Sequence, residues 1–131
     1  MNKRTLGYWG TLGLFSLALT GSGVMGLVSP PDFVENITRL GFPAWFGTYL
    51  GVWKLAGVAV LLAPGLTRLK EWAYAGFTIS LTSAAVAHLA AGDAIGEAIP
   101  PLVLLGIGLT SWALRPAGRT IHTDTLAAAA K

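Results

Sequence analysis

Apolar residues fall along this chain in four long runs, Leu6 to Val28, Ala44 to Ala63, Trp72 to Ala91 and Ile99 to Leu114, separated by short polar connections. A helix needs about 20 apolar residues to cross a bilayer core, with a working range of about 17 to 25. The first three runs meet that length. The fourth reaches it by continuing through Arg115, whose side chain can extend to the headgroups. In lipid every backbone amide must find its partner within the segment, so the runs predict helices rather than strands. The expected fold is therefore all-α: an integral membrane four-helix bundle, one domain over residues 1–116, with a polar tail over 117–131. The first run lacks a small-x-small cleavage site in "LTGSGVMG" and reads as a retained span rather than a signal peptide.

The connection "SPPDFVENITRLGFP" carries a pattern of its own. Asp32 and Glu35 fit a capping box, and Gly41 with Pro43 supplies a stop. Phe33, Val34, Ile37 and Leu40 share a face opposite Glu35, Asn36 and Arg39. This predicts a short amphipathic helix over about 32–41, lying at the membrane interface. It serves either as a plain connector or as a lid over a site.

Composition agrees with lipid as the solvent. Hydrophobic residues make up 53% of the chain and charged residues only 11%, against about a quarter in soluble domains. Basic residues concentrate at three places: Lys3 and Arg4, Arg68 and Lys70, Arg115 and Arg119. The other two connections hold Arg39 with Asp32, Glu35, Asp93 and Glu97. Positive residues stay on the cytoplasmic side, so a multi-pass protein of the bacterial inner membrane with both termini inside is expected. Tyr8, Trp9, Trp72, Tyr74 and Trp112 would mark the inner interface, Trp45 and Phe46 the outer one. Basic residues used in this way give no support to nucleic-acid binding. The absence of cysteine removes disulfides and thiolate metal sites, and two histidines are too few for the usual metal centres. No metal is expected.

Within "YLGVWKLAGVAVLL", Lys54 sits near mid-bilayer, where a lysine costs roughly 2.5–3.5 kcal/mol on insertion scales. Gly47, Leu50, Gly51, Gly57, Val58 and Leu61 share its face. Gly47 and Gly51 form a GxxxG, which lets another helix come close. Lys54 therefore belongs on a protein-facing surface. Alongside, Trp45, Tyr49 and Trp53 recur every four residues, either as a lipid-facing stripe or as the wall of a flat apolar ligand's site. On the third run His88 lies about one turn from the outer end, with Phe77, Leu81, Ala84 and Ala85 on the same side. Lys54 and His88 are the candidate catalytic pair. Tyr49, Trp53, Phe77 and Ala84 are candidate ligand contacts, and Glu35 and Asp93 stand near the mouth. The glycines of the first run, Gly7, Gly10, Gly13, Gly21, Gly23 and Gly26, offer a further close-packing face that would suit a homo-oligomer.

Taken together, "GFPAWFGTYLGVWKLAGVAVLLAPGLTRLKEWAYAGF", "AHLAAGD" and "SWALRP" resemble the DoxX-like family of small bacterial membrane proteins over roughly residues 35–116. The resemblance implies a four-helix membrane bundle and matches Lys54 and His88 to the family's polar intramembrane positions. Many relatives carry an acidic residue where this chain has Ser80. It further implies an association with quinol oxidases or with electron transfer to quinones. A chain without cysteine or a haem-ligand pair would then need a quinone, a flavin or a redox partner subunit. The expected function is binding of a quinone or other apolar ligand in an intramembrane pocket, as a redox-associated subunit or small membrane oxidoreductase. The alternatives are a non-catalytic scaffold or accessory subunit, a small transporter or proton pathway, and a membrane-embedded acid-base enzyme.

Overall fold

The structure is a computed structural model and describes residues 1–121. Among the described residues five α-helices follow one another: α1 (Lys3–Val28), α2 (Pro31–Arg39), α3 (Trp45–Leu62), α4 (Thr67–Ala90) and α5 (Ile99–Ala113). Short 3-10 turns cover Ile95–Glu97 and Ala117–Arg119. Four of the described segments are long and apolar enough to cross a membrane: α1, α3, α4, and α5 together with the turn before it. They form a closed ring of antiparallel neighbours, α1 beside α3 and α5, α4 beside α5 and α3. The α3/α4 seam is the loosest of the four. Both ends of the described chain lie at one pole, the basic end; α2 lies at the other.

The seam between α1 and α3 is the tightest because both helices put glycine there. A Cβ on Gly51 would stand 2.6 Å from the carbonyl oxygen of Gly23, and one on Gly26 would collide with that of Gly47. The predicted GxxxG thus meets a glycine pair on α1, as backbone approach in membranes requires. Further along the same crossing Ser29 Oγ lies 3.1 Å from Thr48 Oγ1. The buried core lies nearer the basic end: Tyr8, Leu12, Phe15 and Leu19 from α1, Val58 and Leu61 from α3, Tyr74, Phe77 and Leu81 from α4. Phe15 packs edge-on to Phe77 and against Gly108 of α5.

Several expectations shift in detail. No side chain caps α2: Pro30 is the N-cap and Pro31 begins the helix, which moves Asp32 into the first turn. The predicted capping box is therefore not formed, and Asp32 instead meets the positive end of the helix dipole. The stop is as expected, with Gly41 at φ +96. Phe33 and Ile37 press on Gly47 of α3.

The larger change concerns charge. α4 starts at Thr67, ahead of Trp72, and so includes Lys70, which is 1% exposed. Its ammonium donates to the carbonyls of Val60, Ala63 and Gly65 at 3.0, 2.5 and 2.5 Å. These oxygens close the C-terminus of α3, where helix carbonyls lack intrahelical partners. Arg119 donates to the Leu61 carbonyl at 3.0 Å and to the Tyr8 hydroxyl at 3.1 Å, with its guanidinium over Trp9. The segment after α5 is thus docked as far as Arg119. Arg115 pairs with Glu71 and lies over Tyr74 and Trp112. Tyr8 and Tyr74 are buried, whereas Trp9, Trp72 and Trp112 are exposed like interfacial aromatics.

The glycine contact can be tested against a control glycine on α1. Gly51→Ala forces a Cβ onto backbone, and overpacking of this kind costs about 1–3 kcal/mol. Gly13 has open space around it. Thermal unfolding in detergent should show Gly51→Ala clearly destabilised and Gly13→Ala close to wild type; equal melting of the two would remove the contact from the account.

Candidate functional site

The sequence-predicted residues separate into two places. Lys54, Trp53 and Phe77 line a groove between α3 and α4. His88 and Asp93 meet at the α2 end. Tyr49, Ala84, Glu35, His88 and Asp93 are not among the groove's lining residues.

The groove encloses about 360 Å³ and opens on the outside of the bundle. That is within the range of small-molecule sites, about 300–1,000 Å³. Its walls are Leu50, Ala56, Gly57 and Val60 from α3 and Leu69, Ala73 and Gly76 from α4, besides the residues already named. It exists because α3 and α4 meet through small residues: Phe77 sits so close to Gly57 that a Cβ there would lie 2.5 Å from its ring. Trp53 and Trp72, 60% and 76% exposed, flank the groove on opposite helices. Lys54 is half-buried and carries the only ionisable side chain in the lining; Ser80 stands on the opposite wall.

Lys54 Nζ donates to Ser22 Oγ of α1 at 2.7 Å. Ser22 was not foreseen as a partner. The signal was present in the spacing of Ser22, Gly26 and Ser29, which share a helix face. The aromatic ladder also forms: Trp45 meets Tyr49 edge-on, and Tyr49 meets Trp53, at centroid distances of 6.2 and 6.3 Å. All three rings are largely exposed, and only Trp53 reaches the groove.

At the α2 end the geometry follows from how α4 stops. Gly92, at φ +83, lets the Gly92 amide return to Leu89 and the Asp93 amide return to His88. This Schellman ending folds Asp93 back over the last turn. His88 Nδ1 then lies 2.6 Å from Asp93 Oδ2. Arg39 of α2 donates to both oxygens of the same carboxylate, at 2.6 and 3.1 Å, and to Asn36 Oδ1 at 2.8 Å. Glu35 lies exposed on α2. Asp93 is the hub that ties α2 to α4. The hydrogen bond from Arg39, and secondarily that from His88, holds its carboxyl below the usual carboxylate range. The pairing raises Arg39 in turn.

A carboxylate whose pKa is depressed by folding stabilises the fold above its unfolded value, about 3.9, and loses that contribution as pH falls through the lower folded value. The clamp should therefore hold α2 at pH 7 and at pH 5 and release it below about pH 4. Hydrogen exchange of the α2 amides, corrected for intrinsic rates, should rise only in that acid window. In Asp93→Asn it should be raised at neutral pH and lack the acid step.

Neither curated proteins nor solved structures give a match. The profile of the DoxX-like family matches residues 10–111, which takes in most of α1 through most of α5, both walls of the groove and the Asp93 clamp. With that match over most of its length, and with four helices fit to cross a membrane, the chain belongs to the DoxX-like family.

Proposed function

We propose that this DoxX-like protein binds a bilayer-soluble ligand of the quinone class in the α3/α4 groove and serves as a redox-associated membrane subunit. The observation that carries this reading is the groove itself: an apolar cleft open to the side of the bundle, flanked by two indoles, with one ammonium group in its lining. A flat ring fits between aromatic side chains, and a ring oxygen is the acceptor that Lys54 can serve. The side opening suits a ligand that arrives through the bilayer rather than through water. The chain has no cysteine, so electrons would be exchanged by the ligand with a partner protein or a flavin. The distribution of basic residues supports an inner-membrane placement with the basic end, and both termini, in the cytoplasm.

The hydrogen bond from Lys54 to Ser22 supports a second reading. In it Lys54 is a strut between α1 and α3, and the protein is a non-catalytic accessory subunit.

One experiment separates the two. The protein is purified in mild detergent, bound small molecules are extracted and identified by mass spectrometry, and thermal stability is measured alongside. A hydrogen bond to a charged group is worth roughly 1.5–3 kcal/mol, so Lys54→Met should lower quinone retention about tenfold to a hundredfold while the protein remains folded. Unchanged quinone content with a lowered melting temperature would decide for the strut.

A further inference from the structure

We infer that the groove selects amphiphiles whose headgroup carries a negative charge at the oxygen that meets Lys54. This rests on the groove being the ligand site and names the class of headgroup it prefers.

Among the described residues two lysines, Lys70 and Lys54, turn inward. An ammonium has three donors. Lys70 uses them on three backbone carbonyls and is almost completely enclosed. Lys54 uses one, on the neutral hydroxyl of Ser22, and among the described residues has no second acceptor. Nor does it have a counter-ion there. Of the carboxylates, Glu71 is committed to Arg115 and Trp112, and Asp93 to Arg39 and His88. Asp32 and Glu35 lie exposed on α2, and Glu97 is exposed in the turn before α5. No described ion pair includes Lys54.

A cation in an apolar setting is costly unless it is paired and its donors are satisfied. A neutral carbonyl on a ligand would satisfy one more donor and leave the charge uncompensated. An oxyanion does both. The rest of the lining gives no reason to reject a negative headgroup, because it contains no carboxylate. The apolar remainder of the ligand then lies along Val60, Leu69, Ala73 and Phe77 and leaves by the open side. Two kinds of membrane-soluble molecule share this chemistry: acidic, hydroxyl-bearing quinones and long-chain carboxylic acids.

Binding is measured for the full-length protein in detergent at neutral pH by equilibrium dialysis, with matched pairs of probes. One pair is 2-hydroxy-1,4-naphthoquinone against 1,4-naphthoquinone; the other is palmitic acid against methyl palmitate. The expected result is at least about tenfold tighter binding of the acid, the scale of one charge-assisted contact. A preference in both pairs places selection on charge alone, and a preference in one pair identifies the source. Lys54→Met should bring the ratio to near one, and Lys54→Arg should keep it. Equal binding of acid and neutral probes to wild type would overturn the inference and leave the groove reading standing. No binding of any probe would defeat that reading, and the inference with it.

Discussion

Where Gly26 lies against Gly47, and Gly51 against Gly23, two helix backbones touch, and much of the molecule's arrangement follows from that contact. It fixes the antiparallel pairing of α1 with α3 and brings the hydroxyl of Ser22 to the ammonium of Lys54. It also gives Phe33 of α2 a shallow seat on Gly47. Larger residues at the crossing would separate the helices and leave Lys54 without its one protein acceptor. The small-residue rule for helix pairs in lipid therefore determines both packing and chemistry here.

The loose seam lies on the opposite side of α3. On that flank Gly57 lies against the ring of Phe77, and the small residues Ala56, Ala73 and Gly76 leave space between the two helices. The resulting groove is a product of packing rather than an insertion in the fold. Its polar content comes from single residues on facing helices, Lys54 and Ser80. At the far end the Asp93 clamp closes α2 over the bundle with charge–charge contacts that stay partly open to water on the Arg39 side.

The four spans, the amphipathic α2 and the glycine face of α3 were legible because each rests on periodicity along one segment. Lys54 could be assigned to a protein-facing surface for the same reason: its neighbours at helical spacing are glycines. What the sequence did not disclose were relations between segments. Lys70, Arg115 and Arg119 read as marks of orientation, since a basic residue at a span's end usually points to water or headgroups. Here they turn inward to carbonyls and rings, because the C-terminus of α3 and the aromatic residues of α1 and α4 converge at that pole. Lys54 and His88 come to different places, the α3/α4 groove and the α2 end, for a similar reason. Both residues face inward on their own helices, but the glycine stop at Gly92 gives His88 a carboxylate of its own.

The capping of α3 has a consequence for the order in which the protein comes together. Among its last carbonyls, Ala59 is taken by the Ala63 amide, Val60 by Lys70 and Leu61 by Arg119. The first two partners emerge soon after α3 itself, but Arg119 follows α5, so the Leu61 oxygen waits until all four spans have been made. A chain truncated before that arginine would insert four spans and still lack the clasp that joins the first to the second. The end of the second span is thus completed only after the fourth has been made.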